Sequence, residues 1–588
     1  MDELKVGLVT SVKGTTVKAI ISHDFFQSTY FHNGKILRGI SINEFVLIRK
    51  GYQDIVGKIV GEEIIENFGF RADDIEQKRH ERYIELNIIG FFFEEKFFSG
   101  LKYLPMINDS LFLISDERIS EIYNFKTEKN KSLIMIGKSM LEELPISIPI
   151  NGVFNSHIGV FGNTGSGKSN TLAKLYNSLL NEISHKIGLN KSRFVLIDFN
   201  GEYGTLASTF PNICHTINLD TKSSKDKLFL SQGEFWDEEL LSVLFSATEK
   251  TQKPFLSHLI KSKFKYESDL KDYLQNTFRI MFGTNQHKET INLLKSLRPY
   301  FEDQEQEGII EELSKLSWHS SQDKYMYPGG FFDSPDIAIS KLPKTYNSTF
   351  KLESVFDEIV IRAILQLINS VSRNYVQYEH ISPLINKMTA MSSALSKVIE
   401  VENKVEIKKI VQIISLKECN QLIKKTIPMM IAKCSFLEHK SPTNEKESFH
   451  LIIDEAHNIL SESSVREAET WKDYRLELFE EIIKEGRKFG YFVTISSQRP
   501  FDISPTIISQ LHNYFIHRLV NENDLFLLKN TLSTLDAASR SLIPTLPPGG
   551  CIISGTAFHT PLLVQIDRLS ENCAPQSDTL DLEKIWGI

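Results

Sequence analysis

The chain has 588 residues, 41% of them hydrophobic and 24% charged, so it is long enough for two to four globular domains. No apolar run approaches the roughly 18–20 residues that a membrane-spanning helix needs, which argues against a membrane protein of that kind. The 67 basic and 75 acidic residues give a net charge of −8, so the chain as a whole lacks a basic nucleic-acid footprint, and a local basic groove stays open.

The start of the chain favours a cytoplasmic location. Residues 1–12 are acidic and then alternate between apolar and polar residues, unlike a signal peptide. The five cysteines are scattered without a C-x-x-C pair, so neither a disulfide framework nor a zinc site is indicated. We expect a cytoplasmic protein with no membrane association.

The N-terminal third is rich in short strands. The first 65 residues alternate between apolar and polar residues, with Gly, Asn and Asp between the runs. Further alternating runs follow at Tyr83–Phe93 and Ser110–Ser115. Many short strands at close spacing predict a small β-barrel, and the segment around Pro145 and Pro149 reads as a linker.

A phosphate-binding loop follows the apolar run Ile158–Phe161. The pattern G-x-x-x-x-G-K-S ends in Lys168 and Ser169, and a helical run at Leu172–Leu180 follows. Backbone N–H groups of such a loop surround a triphosphate; Lys168 reaches its β- and γ-phosphates, and Ser169 ligates Mg²⁺. The residues expected to bind ATP are Gly162, Asn163, Thr164, Gly165, Ser166, Gly167, Lys168, Ser169 and Asn170.

Beyond the loop, strand and helix patterns alternate. Residues 220–405 carry helical periodicity, as in Val355–Val371, interrupted by a loop at Tyr327–Phe332, and indicate a helical insertion. Apolar strands are predicted at 194–198, 410–416, 450–454, 491–496, 515–519 and 550–554. Apolar strands alternating with helices predict a parallel sheet covered on both faces.

We therefore predict an α/β fold, with a RecA-like phosphate-loop ATPase core, an N-terminal β-barrel and a helical insertion. The expected domains are the barrel over 1–100, a linker with strands leading into the core over 101–150, the first half of the core over 151–215, the insertion over 216–405, the second half of the core over 406–567, and a C-terminal tail or brace over 568–588.

Acidic and amide side chains follow two later strands. Asp454 and Glu455 come directly after an apolar strand, where Asp454 would hold the Mg²⁺ shell and Glu455 would polarise the attacking water. Gln498 ends the next strand, where it would sense the γ-phosphate or hold the water. Ligands of open α/β sheets bind at the carboxyl ends of the strands, which favours this interpretation over ordinary strand-end residues.

The remaining charged candidates are weaker. Asp198 and Glu202 follow a strand, and they flank the metal, flank a neighbouring subunit or form an exposed turn. Arg487 ends a helix, where it either complements the helix dipole or, in a ring, reaches the γ-phosphate of the neighbouring subunit. Arg499 and Arg518 are lesser candidates for the same role.

Asp454–His457 also spells the signature of a large helicase superfamily. That superfamily requires a second lobe with an arginine-rich Q-R-x-G-R-x-x-R element, and the sequence has none. We interpret the letters as coincidental and His457 as a residue on a helix face.

The assembled motifs resemble the HerA branch of the HerA/FtsK ATPases. The resemblance rests on residues 157–169, 198–203, 454–458, 485–490 with 496–500, and 547–555, in that order along the chain. It implies a homohexameric ring that binds ATP between subunits and double-stranded DNA in its lumen, with a partner nuclease. One departure is the pair Phe199 and Asn200, where relatives often carry a Pro-His pair between the acid and the glycine, so the roles of Asp198 and Glu202 stay open.

Bacterial proteins that resemble HerA often accompany an effector in antiphage defence, either a sirtuin-type NAD⁺ hydrolase or a nuclease. No second catalytic constellation is evident in this chain, so the effector would be a separate protein. The leading hypothesis is a DNA translocase or helicase driven by ATP hydrolysis. The alternative is a nucleotide-gated scaffold that assembles and activates the effector, and a membrane-tethered DNA pump ranks third.

Overall fold

The computed structural model describes twelve stretches of the chain: residues 4–27, 29–32, 35–66, 80–126, 131–223, 225–265, 270–402, 410–441, 447–462, 469–531, 535–576 and 585–587. Portions of the predicted insertion and of the predicted tail, at 403–405, 577–584 and 588, lie outside the described residues.

The N-terminal strands close into an antiparallel barrel. Six strands follow the order β2-β1-β9-β5-β6-β7, and β7 pairs back onto β2 to complete the ring. Alternate residues of β2, namely Val17, Ala19 and Ile21, are buried inside it, as the sequence pattern predicts. The elements are β1 Lys5–Lys13, β2 Thr16–Ile21, β3 Thr29–His32, β4 Lys35–Arg38, β5 Phe45–Lys50, β6 Gln53–Glu66, β7 His80–Phe93, β8 Lys96–Ser99, β9 Ser110–Leu113 and α1 Asp116–Ile122.

The ATPase core begins after α1 and is interrupted once. Its first half supplies two strands at one sheet edge, then the strand and helix that flank the phosphate loop. The elements are β10 Leu133–Ser139, β11 Pro145–Pro149, α2 Ile150–Phe154, β12 Ile158–Phe161, α3 Lys168–Ile183, β13 Ser192–Asp198, α4 Gly204–Thr209 and β14 Cys214–Asp220.

A mostly helical insertion separates the two halves of the core. Its central helix α13 is buried along most of its length and packs against α7, α8, α9 and α14. The elements are β15 Leu228–Ser231, α5 Gln232–Phe235, α6 Glu238–Phe245, α7 Gln252–Lys265, α8 Leu270–Gly283, α9 Lys288–Ser296, α10 Asp303–Lys315, β16 Ser317–His319, β17 Lys324–Tyr327, β18 Gly330–Phe331, α11 Pro335–Lys341, α12 Pro343–Asn347, α13 Val355–Ser372, α14 Tyr378–Val398 and β19 Ile399–Glu402.

The second half of the core completes the sheet. Its elements are β20 Val411–Glu418, α15 Gln421–Lys440, β21 Ser448–Ile453, α16 His457–Leu460, α17 Glu469–Glu485, β22 Tyr491–Ser497, α18 Pro505–Ser509, β23 Asn513–Ile516, α19 Glu522–Thr531, α20 Ala537–Leu542, β24 Gly550–Gly555 and β25 Leu562–Ile566.

The core sheet has eleven strands in the order β11-β10-β25-β24-β23-β12-β22-β21-β13-β20-β14. The strands from β23 to β14 are parallel, and the other four are antiparallel. The phosphate-loop strand β12 lies between β22 and β23, so the carboxyl ends of β12, β21 and β22 meet at one edge. The predicted fold class is confirmed: an α/β phosphate-loop ATPase core with a barrel and a helical insertion.

Three local predictions differ from the structure. Residues Pro145–Pro149 form the edge strand β11 rather than a linker, because an edge strand tolerates prolines that cannot donate to the ladder. Residues 327–332 are not a loop throughout: they contain the end of β17, a two-residue turn at 328–329 and the short strand β18. Strand β23 ends at Ile516, three residues before the predicted end.

Candidate nucleotide site

The conformation of the phosphate loop depends on glycines and on close packing against the residue that follows the neighbouring strand β23. Gly167 is the N-cap residue directly before α3 and has a left-handed φ of 104°, which an L side chain rarely adopts. A Cβ on Gly162 would lie 2.5 Å from Ser166 Oγ and 2.6 Å from His517 Cβ. The loop backbone therefore forms a close-packed cradle that fits phosphate oxygens at a helix N-terminus.

Neighbouring backbone groups fix the loop. The Asn163 N–H donates to the Arg518 carbonyl at 3.0 Å, and the Gly549 N–H donates to the Ser166 carbonyl at 2.9 Å. His517 lies buried beneath the loop, and its Nδ1 is 2.8 Å from the Gly550 carbonyl oxygen. Burial lowers the pKa of His517 to about 4, so this ring is neutral at pH 7. The predicted loop residue Thr164 lies at the exposed tip of the loop.

Lys168 is buried among three oxygen-bearing side chains. Its Nζ donates to Asp454 Oδ1 at 3.2 Å, to Glu455 Oε1 at 3.0 Å and to Ser496 Oγ at 3.2 Å. Burial alone lowers the pKa of Lys168, but the two carboxylates raise it more, and the pKa lies above its ordinary value. Lys168 is therefore a cation at the end of the sheet, as phosphate binding requires.

Glu455 and Gln498 form one hydrogen-bonded unit with the phosphate loop. Gln498 Nε2 donates to Glu455 Oε1 at 2.5 Å, and Thr164 Oγ1 donates to Gln498 Oε1 at 2.5 Å. Glu455 is 5% exposed and has a left-handed φ of 46°, which costs about 1–2 kcal/mol for a residue with a side chain. The surrounding contacts therefore impose the position of this carboxylate.

Asp454 has an oxygen that could bind a metal, whereas the predicted metal ligand Ser169 hydrogen-bonds to Glu202. Asp454 is fully buried; its Oδ1 accepts from Ser496 Oγ at 2.8 Å, and its Oδ2 has no hydrogen-bond partner among the described residues. An unpartnered buried carboxylate oxygen is costly unless a cation or donor joins it. Oxygen ligands of this kind fit Mg²⁺, which prefers carboxylates, hydroxyls and phosphates.

Asp198, which ends β13, and Glu202, on the turn that follows it, have different partners. Asp198 is 1% exposed and accepts from the backbone N–H groups of Gly201 at 2.7 Å and Tyr203 at 2.9 Å, so it braces the turn. Glu202 instead accepts a hydrogen bond from Ser169, and its pKa is raised by burial and by the Asp454 charge. Glu202 thus lies at the Ser169 side of the site, whereas Asp198 holds the backbone that carries it.

Arg487 lies at the opposite edge of the sheet. It is exposed in the turn that precedes β22, whereas Gln498 follows that seven-residue strand, a separation of roughly 20 Å along the strand. Arg487 lies close enough to affect His157 and His512, at the amino ends of β12 and β23. Burial is the main cause that lowers the pKa values of both histidines, and the Arg487 charge lowers them further. Within one subunit Arg487 does not join Lys168.

Asn170 turns away from the loop. Its Nδ2 donates to the Asp567 carbonyl at 3.1 Å, and its Oδ1 accepts from the Leu569 N–H at 3.2 Å. The segment after β25 continues over the turn at Glu202, whose carbonyl accepts from the Gln576 N–H at 2.8 Å. The described segment of the predicted brace therefore packs on its own subunit.

Two contacts in the site do not follow from the motifs. Ser496 bridges Lys168 and Asp454. The sequence feature that could have indicated this role is its position two residues before Gln498, on the strand next to β12. His457 Nδ1 lies 3.2 Å from Glu455 Oε2, so this ring faces the carboxylate instead of an outer helix face. The only sequence feature that could have indicated this contact is that His457 lies two residues after Glu455.

Comparison with known families agrees with these features. The family described as "Helicase HerA, central domain" matches residues 134–433, about half of the chain. A DNA double-strand break repair helicase HerA of Sulfolobus acidocaldarius is 24% identical over 563 residues, which cover 91% of this chain and 93% of that protein. The HerA of Sulfurisphaera tokodaii is 24% identical over 480 residues, covering 81% and 76%.

Solved structures with a similar fold include VirB4 of Thermoanaerobacter pseudethanolicus, at 15% identity and a TM-score of 0.42, over 75% of this chain and 98% of that one. The plasmid coupling protein TrwB in complex with ADP and Mg²⁺ has 13% identity and a TM-score of 0.42, over 78% and 95%. Across the stretches that the structure describes, no helix is long and apolar enough to cross a bilayer. With its phosphate loop and the family match over half its length, the chain belongs to the HerA helicase family and is an ATP hydrolase.

Proposed function

We propose that this chain forms a homohexameric ring that couples ATP hydrolysis to translocation or unwinding of double-stranded DNA, together with a separate effector protein. The effector would be a nuclease or an NAD⁺ hydrolase, in bacterial antiviral defence or DNA processing. Support comes from membership of the HerA helicase family and from relatives named as DNA repair helicases. The resemblance to HerA proteins supports the ring and the effector.

The observation that carries the proposal is the division of the site. Lys168, Asp454, Glu455 and Gln498 converge at the carboxyl edge of the sheet, while Arg487 is exposed at the amino edge. A head-to-tail ring joins two different surfaces of neighbouring subunits, and we propose that here they are the carboxyl edge of one sheet and the amino edge of the next. Arg487 would then complete the site of the next subunit.

In this proposal the chain's own residues act on ATP as follows. The loop backbone and Lys168 hold the phosphates, and Ser169 and Asp454 hold Mg²⁺. Bound Mg²⁺ neutralises phosphate charge. Glu455 orients and polarises the attacking water, Gln498 contacts the γ-phosphate, and Arg487 of the neighbour stabilises charge on it.

The test is the response of ATP turnover to DNA. We expect duplex DNA to stimulate hydrolysis several-fold, and Lys168→Ala to abolish hydrolysis at every DNA concentration, because no other described cation lies within the phosphate loop. The matched control is Lys174→Ala on the same helix, whose side chain pairs with Asp567 at 3.3 Å and is expected to retain turnover.

Turnover that ignores DNA across a range of salt concentrations would contradict a DNA motor. An effector complex that assembles and shows normal effector activity with Lys168→Ala would favour the nucleotide-gated scaffold.

A further inference from the structure

The two oxygens of the Glu455 carboxylate have different surroundings. Oε1 accepts from Lys168 at 3.0 Å and from Gln498 at 2.5 Å. Oε2 lies 3.2 Å from His457 Nδ1 and accepts no well-aligned hydrogen bond from the described residues. The proposed function assigns both partners of Oε1 to the nucleotide. Oε2 faces a side chain that has no nucleotide role.

The His457 ring has a second polar neighbour besides Glu455. It belongs to the first residue of α16, three residues after Asp454, and Ser497 Oγ lies 3.4 Å from the same Nδ1. The Ser497 hydroxyl in turn accepts from the Arg499 N–H at 3.0 Å, which ties it to the end of β22. The ring is 23% exposed, so it lies at the boundary of the site and not in open solvent.

A contact between Nδ1 and Oε2 requires one particular tautomer of His457. A carboxylate only accepts hydrogen bonds, so the imidazole must carry its proton on Nδ1 to hold Oε2. Burial lowers the pKa of His457 and the Glu455 charge opposes this shift, and a neutral ring with Nδ1–H suffices for the contact. A neutral donor steadies the carboxylate without neutralising it.

We infer that His457 is a positioning residue for Glu455, holding it through Oε2 so that Oε1 is free to face the attacking water once Lys168 and Gln498 contact the nucleotide. The inference rests on the proposed function. It explains how Glu455 keeps one orientation in a strained backbone when its other two partners are shared with ATP. Mutating the partners that orient metal ligands typically costs about 10–100-fold in metal affinity or activity, and we expect an effect of the same order for this contact.

The first test is a comparison of His457→Ala with His457→Asn in the full chain. We expect His457→Ala to lower kcat by about 10–100-fold while KM for ATP changes by less than about 3-fold, since ground-state binding of the phosphates is untouched. Asn keeps an amide donor close to the position of Nδ1, so His457→Asn should restore most of the lost kcat. An unchanged kcat in His457→Ala, or a loss shared equally by both variants, would overturn the inference.

A double variant separates positioning from general damage. If His457 acts through Glu455, adding His457→Ala to Glu455→Gln lowers kcat no further, because the group being positioned is already gone. Losses that multiply in the double variant would show that His457 acts independently of Glu455.

A third readout does not depend on hydrolysis. Crystal structures with a non-hydrolysable ATP analogue and Mg²⁺ should show one Glu455 orientation in the wild type, with Nδ1 within hydrogen-bond distance of Oε2, and several in His457→Ala. A wild-type ring turned away from Glu455, or an unaltered carboxylate in the variant, contradicts the inference. If the wild type binds the analogue in this geometry but hydrolyses no ATP, the proposed function fails and the positioning contact stands.

Discussion

At the scale of single residues, the phosphate loop depends on Gly167. Its φ is 104°, and a Cβ there would lie 2.9 Å from backbone atoms of Gly549, which cannot move as a side-chain tip can. We predict that Gly167→Ala weakens ATP binding at least about tenfold, because left-handed strain and the clash together exceed about 1.4 kcal/mol. Titration with a fluorescent ATP analogue measures the change.

Two other glycines provide controls for this prediction. Gly204, at the start of α4, has neither a left-handed φ nor an atom within 4 Å of a Cβ among the described residues, so Gly204→Ala should bind ATP normally. Gly165 has φ 75° without a clash, so Gly165→Ala should destabilise the protein less than Gly167→Ala in thermal unfolding. Equal affinities for Gly167→Ala and Gly204→Ala would show that the loop tolerates a side chain.

The residue scale also shows what a sequence reveals about this site. Motif spacing and strand ends pointed to Lys168, Asp454, Glu455 and Gln498, because parallel strands bring their carboxyl ends to one edge. His457 could not be found in this way: whether its ring faces outward or toward the carboxylate depends on the left-handed turn at Glu455. The backbone path after that turn determines whether His457 contacts Glu455.

At the scale of elements, strand β21 carries a buried histidine that links stability to pH. The His450 ring stacks on Phe194 at 4.5 Å and packs against Phe492 at 5.2 Å. Burial lowers the pKa of His450 to about 3, against an ordinary value near 6.5 in the unfolded chain. As pH falls below about 6.5 the unfolded state binds a proton that the folded state does not, so stability is lost.

We predict that His450→Phe reduces the drop in Tm between pH 7 and pH 5 relative to the wild type. A neutral aromatic ring keeps the stack and removes the linked proton, which is worth about 2 kcal/mol at pH 5. The same change at exposed His215 on β14 is the control and should leave the drop as it is in the wild type. A wild-type pH dependence in His450→Phe would contradict the linkage.

Elements also show where sequence patterns are insufficient. Period-two alternation predicted the barrel strands, and continuous apolar runs predicted the parallel strands around β12, since each pattern reflects how many faces of a strand are buried. The edge strand β11 was missed because its prolines resemble a linker. The hairpin of β17 and β18 was missed because two such short strands around Pro328 contain too few residues to show an alternation of apolar and polar side chains.

At the scale of the whole molecule, the site has its two ends on opposite edges of one sheet. The shared carboxyl edge of parallel strands predicted that Lys168 and Glu455 meet, but the motifs carried no information about the distance from Arg487 to either of them. That distance follows from β22, which begins near Arg487 and ends at the nucleotide edge. The arrangement agrees with a shared site between subunits, which remains a proposal.

The most direct test of the shared site is complementation between two inactive chains. Lys168→Ala keeps Arg487 but has lost its phosphate contact, and Arg487→Ala has the opposite defect. When the two are co-expressed and co-purified as mixed rings, about one quarter of the interfaces should pair an intact Lys168 with an intact Arg487. We predict that each variant alone has almost no ATP turnover and that the mixture recovers about one quarter of wild-type turnover per chain. A mixture no more active than its parents would contradict a site completed by the neighbouring subunit.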